Sequence, residues 1–208
     1  MQRKKRRKKR QKSQKFQYFT QKEIQKLLRY FLKNDYEMYL ITLTAYSHGL
    51  RVSEVLSLRR EDIDLDRGRI RIKRLKGSLS AEHPLAAQEK TAWDQFLKFR
   101  KGRVLFSLSR FQVYRRLRQA AGILRISKKK AHPHALKHSL AMHLLEAGVP
   151  VSRVQAILGH RNIQNTLIYA QVLDRDRDDT LLTFLQGDSQ PLAGAEGGTP
   201  KATGKPKR

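Results

Sequence analysis

"HPHALKHSLAMHLLEAGVPVSRVQAILGHRNIQNTLIYAQV", residues 132–172, holds both a packing pattern and a set of reactive side chains. Its first part predicts a helix, with Pro133 suited to the first helical position and Gly148 to the C-terminal stop. At about 100° per residue, Leu136, Leu140, Ala141, Leu144 and Leu145 fall on one arc, and Lys137 points inside that arc, flanked by His134 and His138. A lysine kept for solubility belongs on the opposite face. One directed inward at a helix start, beside two imidazoles, is set to meet an anion; the alternative is an edge lysine that snorkels to water. His134 and His138 also have the i, i+4 spacing of a metal-binding helix, but no glutamate follows the first histidine and no third ligand is placed. Farther on, His160 stands nine residues before Tyr169. Between them "RNIQNT", opening on Arg161, is polar and basic, the kind of stretch that lies against phosphate. Taken alone, Tyr169 fits a helical core as well as it fits a nucleophile.

The surrounding composition gives that arrangement a partner. The chain has 208 residues, 39% of them hydrophobic, enough for one ordinary domain with tails. Forty-five Lys and Arg face 18 Asp and Glu, a net charge of +27, whose natural counterpart is a polyanion, with nucleic acid foremost. There is no cysteine, which excludes disulfides, thiol catalysis and Cys-ligated zinc and agrees with a reducing cytosolic compartment. Apolar stretches such as "YLITLTAY" stop far short of the roughly 20 residues of a membrane span.

The opening "MQRKKRRKKRQKSQK" carries ten Lys or Arg in fifteen residues and lacks the apolar segment of an export signal. Residues 1–15 are therefore expected to be a disordered basic tail: a solvated extension, a nonspecific phosphate-binding arm or a nuclear-import signal. Residues 187–208, rich in Gly, Pro, Ala and Thr, are expected to be a second disordered tail, which leaves 16–186 as the folded domain. Within it, "TQKEIQKLLRYFLKN" predicts a helix opened by Thr20 with Glu23 in a capping box, "DYEMYLITLTAYSHG" an apolar helix ended by Gly49, and "RVSEVLSLRRED" a short third helix. In "GRIRIKRLKGSLSAEHPL", Ile70 and Ile72 alternate with Arg69, Arg71 and Lys73, so an antiparallel hairpin buries one face and presents a basic one, with Lys76 and Gly77 near its turn. "AQEKTAWDQFLKFRKG" and "SRFQVYRRLRQAAG" read as amphipathic helices, the second with Arg115, Arg116 and Arg118 opposite Val113, Leu117 and Ala121. The fold class expected is α+β, mainly helical, with a small antiparallel sheet. Arg51 has an acidic neighbour, Glu54, at i+3, and on its own reads as a surface ion pair.

The order of these elements carries more than any of them singly. "TAYSHGLRVSEVLSLRREDIDL", "RLKGSLSAEHPL" and residues 132–172 resemble, in succession, the catalytic domain of the tyrosine recombinases, the phage integrase family, over about Phe19 to Leu185. Within that family "RLKGSLSAEHPL" and "LGHRNI" look most like the small recombinases that invert fimbrial promoters. The resemblance implies a site-specific DNA recombinase in which Tyr169 attacks a scissile phosphate and forms a 3′-phosphotyrosine. It implies that Arg51 binds phosphate oxygens, that Lys76, reached with one inserted residue, is the general acid, that His134 assists proton transfer at the nucleophile, and that His160 bonds a nonbridging oxygen. Lys137 stands where most of the family has a second arginine, so the charge is kept and the bidentate fork is lost. Arg69, Arg71, Lys73 and Arg161 are the implied DNA contacts. No cofactor or metal is implied; the implied partners are double-stranded DNA, further copies of the chain in a tetramer on two DNA sites, and accessory DNA-bending proteins, in a cytoplasmic, nucleoid-associated protein of bacterial or phage origin. "DDTLLTFLQ" is the candidate for a C-terminal helix packed on a neighbouring protomer or on its own core.

Two other readings compete. One is a DNA-binding protein without full activity, either a weakened recombinase-like regulator or a helix-turn-helix formed by residues 152–172 around Gly159. The other, an RNA-associated basic protein, rests on charge alone.

Overall fold

The computed structural model describes residues 17–74 and 78–173. The expected tails, the stretch "DDTLLTFLQ" and Lys76 with Gly77 lie outside the described residues. Eight α-helices occur among those described: α1 (Gln21–Asn34), α2 (Tyr36–Ser47), α3 (Val52–Leu56), α4 (Ala87–Phe99), α5 (Arg110–Ile123), α6 (Pro133–Glu146), α7 (Val151–Leu158) and α8 (Gln164–Leu173). Between α3 and α4 a three-stranded antiparallel sheet forms in the order β1 (Ile63–Asp64), β2 (Arg69–Ile72), β3 (Ala81–Pro84).

Local chemistry explains most boundaries. The Thr20 hydroxyl accepts from Glu23 N–H while the Glu23 carboxylate accepts from Thr20 N–H, completing the capping box that starts α1. Pro133 occupies the first turn of α6, where the His132 imidazole accepts from Ala135 N–H. In the hairpin, Ile70 pairs with His83 and Ile72 with Ala81; both isoleucines are buried, while Arg71 between them is exposed. The third predicted helix divides in two. Leu58 turns into the core and Arg59 is extended, bridging to Val104, so α3 stops at Leu56 and a separate 3₁₀ turn follows at Arg60–Asp62. The short β1 was not expected from the sequence; two residues are too few to show a period.

The core gathers around α2 and α6. Eight consecutive residues of α2, Met38 to Ala45, are buried, so this helix is apolar all round and packs between α1 and α6. Trp93, edge-on, and Phe96, tilted, of α4 pack against Phe106 at one end of this core. A second cluster, Leu140, Ala141, Met142, Val154, Leu158 and Tyr169, joins α6 to α7 and α8.

One polar clamp ties the parts together. The guanidinium of Arg74, just past β2, is buried and donates to the carbonyls of His48 and Gly49 at the end of α2, to Glu54 of α3, and to the carbonyl of Ile157 in α7. Glu54, itself buried, also accepts from Arg51 N–H and Arg51 Nη1. Removing one member of such a network strands a buried charge. Arg74→Met should therefore destabilise the fold by about 3–5 kcal/mol. The measurement is urea unfolding, where the midpoint should fall at unchanged slope.

Candidate functional site

Three segments bring their polar side chains to one place. Gly49 turns the chain out of α2 at φ +58°, and a Cβ there would stand 2.5 Å from Leu158 Cδ2, so only glycine lets this turn lie against α7. Arg51 follows as the residue that caps α3. Glu54 holds Arg51 Nη1 at 2.8 Å, and the same nitrogen reaches Ser78 Oγ at 3.2 Å. The carboxylate thus fixes the fork while the guanidinium still lines the open pocket beyond.

The second segment is the turn after α7. Gly159 is left-handed, φ +66°, and a Cβ on it would meet the Leu79 carbonyl at 2.7 Å and Arg74 Nε at 3.0 Å. Leu79 N–H donates to the Gly159 carbonyl at 3.0 Å, which fastens the chain leading into β3 onto this turn. His160 is buried, with Nδ1 at 2.9 Å from the hydroxyl of fully buried Thr166. With that hydroxyl donating, the ring proton sits on Nε2, the nitrogen left for the pocket.

The third is the meeting of α6 and α8. Tyr169 is 2% exposed. Its ring packs in the second core cluster, and its hydroxyl lies 2.7 Å from His138 Nδ1. The ring end of this tyrosine is core, while its hydroxyl end is turned to an imidazole. Burial pushes the phenol up to about 12, against a smaller lowering from Arg51, so the hydroxyl keeps its proton at neutral pH. His134 is exposed, and its ring meets that of His138 edge-on at 4.9 Å.

Arg51, Ser78, His134, His138, His160 and Tyr169 line one pocket of about 350 Å³, together with Arg161, Asn165 and Ile168. Four of the six residues singled out from sequence as catalytic, Arg51, His134, His160 and Tyr169, thus share one cavity. Lys137 lies behind that wall. It is 2% exposed, and its ammonium donates to the Leu158 carbonyl at 2.9 Å. Burial, then the charges of Arg74 and Arg51, pull it down to about 7. The inward lysine is real, and the snorkelling alternative fails.

Of the expected DNA contacts, Arg161 lines the pocket, whereas Arg69, Arg71 and Lys73 belong to the sheet region outside it. Arg69 is paired with Glu82 at 3.3 Å and Lys73 with Asp62 at 2.9 Å, while Arg71 points to solvent. Sequence reasoning noticed His138 only as a neighbour of Lys137 and as half of a metal pair, and it missed Ser78, Arg74 and Thr166. The i, i+4 relation of His134 and His138 was the available signal. Among the described residues no group of three His, Cys, Asp or Glu could hold a metal ion, and no helix is long and apolar enough to cross a membrane.

Comparison with known proteins locates this arrangement. The model of the phage integrase family matches residues 17–176. The type 1 fimbriae regulatory protein FimE of Escherichia coli K12 is 37% identical over 171 residues, covering 73% of this chain and 84% of FimE. A tyrosine recombinase of Pseudothermotoga lettingae is 32% identical over 179 residues, covering 81% of this chain but only 61% of the longer relative. Among solved structures, the XerH site-specific recombinase bound to a palindromic difH substrate in a post-cleavage complex superposes with a TM-score of 0.68 at 22% identity, over 81% of this chain and 53% of that one.

The crowding of cations predicts acid lability. His83, His138 and His160 are each lowered to about 4, by burial first and then by neighbouring positive groups. An unfolded chain binds these protons near about pH 6.5, so between 6.5 and 4 it holds protons that the fold refuses. The stability they contribute is fully present above 6.5 and is lost as pH falls toward 4, with a slope of up to about 1.4 kcal/mol per pH unit for each histidine. Urea midpoints should drop steadily from pH 7 to pH 4.5, and His83→Gln should flatten that decline.

Proposed function

The chain belongs to the phage integrase family and is a tyrosine-type site-specific DNA recombinase; on that premise we propose that it cuts and rejoins double-stranded DNA through a 3′-phosphotyrosine formed on Tyr169. The observation that supports this most is the convergence of Arg51, His134, His160 and Tyr169 on one small pocket, the tyrosine hydroxyl already in contact with an imidazole. The neutral-pH phenol needs a base, and the phosphate it attacks needs donors aimed at charge that grows in the transition state.

In this mechanism the Arg51 fork, braced by Glu54, binds two oxygens of the scissile phosphate, and His160 Nε2–H, aligned by Thr166, donates to a nonbridging oxygen. His134 assists proton transfer at the nucleophile. Lys76 is the general acid for the leaving 5′-oxygen. Lys137 adds its charge from behind the pocket wall while holding the last carbonyl of α7, the one that leads into Gly159 and His160. The phosphodiester energy stays in the protein–DNA bond and returns when another 5′-hydroxyl attacks, so the reaction uses no nucleotide and no metal.

Duplex contacts follow from charge. Arg161 reaches backbone phosphate beside the pocket. Arg69, Arg71 and Lys73 extend the basic surface, Arg69 and Lys73 exchanging their carboxylate partners for phosphate. The 1–15 tail raises affinity by counterion release without reading sequence. Recombination proceeds in a tetramer on two DNA sites, with accessory proteins bending the DNA, in a cytoplasmic, nucleoid-associated setting. A catalytically inactive regulator has less support: a buried His160 and a buried Tyr169 are turned to the pocket, where a helix-turn-helix reader would turn its second helix to a groove.

The deciding experiment captures covalent complexes from a library of nicked duplexes of randomised sequence. Wild type should enrich one site and leave DNA-linked protein on a denaturing gel. Tyr169→Phe should bind that site and give no adduct. An undiminished adduct from that variant would remove Tyr169 from its role.

Lys137 is tested on the enriched site. Lys137→Ala should slow single-turnover cleavage by about 10-fold or more, less than the roughly 10²–10³-fold of a donor in contact with the transition state, because its charge acts from behind the wall. Lys137→Arg should give no gain, because the enclosed space between the Leu158 carbonyl and Arg74 has been filled by an unforked ammonium. A large gain with arginine would mean the site still fits the family's usual residue.

A further inference from the structure

A residue in direct contact with the reacting atom is one that the resemblance does not assign. We propose that His138 is the catalytic base of strand cleavage, taking the Tyr169 phenolic proton directly on Nδ1. This rests on the reading of Tyr169 as the nucleophile and adds to it the group that activates it.

Geometry comes first. The oxygen–nitrogen distance is 2.7 Å, with ring centroids 5.5 Å apart and planes inclined at 54°. A general base must lie within about 2.6–3.2 Å of the proton it removes, and His138 already does. It also lines the same pocket as Tyr169, so the proton acceptor and the phosphate face the same hydroxyl. His134, one helical turn earlier, touches His138 rather than standing in its place, and so assists the transfer through that ring.

The protonation state fits. An Nδ1 that accepts from the phenol must be unprotonated, with the ring proton on Nε2. Burial above all, and then the positive groups near His138, favour that neutral form: His134 and His132 before it in the chain, Lys137 beside it, and His160 after α7. Tyr169, on α8, is itself held protonated by burial. Without DNA the proton therefore stays on oxygen and the nucleophile is idle.

Phosphate changes this balance. As Tyr169 Oη bonds to phosphorus, its proton passes to His138 Nδ1 and the imidazole becomes imidazolium. The bond from phosphorus to the 5′-oxygen breaks, and that oxygen takes a proton from the general acid. The positive charge on His138 appears as the pentavalent phosphorus centre gains negative charge, so each offsets the cost of the other. Rejoining runs the same path backward: the incoming 5′-hydroxyl gives its proton to the deprotonated general acid as it bonds to phosphorus, and the displaced tyrosine oxygen takes its proton back from the imidazolium.

The test uses the full chain and the nicked duplex enriched by wild type, made in two forms: with an ordinary scissile phosphate, and with a 5′-bridging sulfur whose thiolate leaves without a proton. Single-turnover cleavage is followed from pH 5 to pH 9 for wild type and His138→Asn, whose amide oxygen can accept the phenol hydrogen bond but cannot take the proton. The variant should be slower by about 100-fold or more on both duplexes, with a rate that keeps rising with pH as hydroxide replaces the missing base. A loss below about 5-fold, or recovery on the sulfur duplex, would overturn the assignment, the second by moving His138 to the leaving-group side. A second measurement does not depend on the variant folding. In the wild-type protein labelled with ¹⁵N-histidine, His138 Nδ1 should be an unprotonated acceptor whose resonance shifts in Tyr169→Phe, and a protonated Nδ1 would sink the proposal. If wild type itself forms no adduct through Tyr169, the nucleophile assignment falls and takes this inference with it. A normal adduct in both wild type and His138→Asn removes His138 alone.

Discussion

The buried guanidinium of Arg74 is the constraint on which the site's geometry depends. Four hydrogen bonds from the two terminal nitrogens of this planar group reach three separate chain segments, and these bonds join the hairpin to the stretch that carries Arg51 and to the turn before His160. Glu54 makes this arrangement tolerable, since a lone guanidinium removed from water would cost several kcal/mol. The same carboxylate braces Arg51. One acidic side chain therefore neutralises a structural cation and braces one that lines the pocket, and the two glycines that permit the close approach, Gly49 and Gly159, lie directly against the clamp.

Around that clamp the site collects positive charge faster than it collects compensation. Arg51, Arg74 and Lys137 share Glu54, and four histidines lie close by. The fold answers by keeping imidazoles neutral and by lowering Lys137. Such a pocket is completed by an anion. A bound phosphodiester raises the proton affinity of every one of these groups at once, so substrate binding and the readiness of the acid–base groups are thermodynamically linked.

How much of this was legible in the sequence depended on whether the information was local. Caps and periods are local, and Thr20 with Glu23, Pro133 and the alternation of Ile70 and Ile72 gave the elements they mark. The helix α2 was legible for a different reason: its run of apolar residues is long enough that only a fully buried helix accommodates it. What was not legible was partner choice across long separations. Nothing near Arg74 in the chain says that its donors reach residues 48, 49, 54 and 157, and nothing near His138 says that it touches Tyr169. The division of "RVSEVLSLRRED" into two pieces likewise follows from Arg59 pairing with Val104, a contact 45 residues away.

The nine-residue interval between His160 and Tyr169 can now be understood from helix geometry. Thr166 and Tyr169 are three residues apart on α8 and so share a face. The first holds the His160 ring and the second presents the phenol, so the placement of both follows from one helix's rotation. On α6, His134, Lys137 and His138 share a face by the same i, i+3, i+4 rule. The site is the meeting of these two faces, and any shift of α8 along α6 would separate Tyr169 from His138 and pull Thr166 from His160 together. Both contacts are in that way set by where α8 packs.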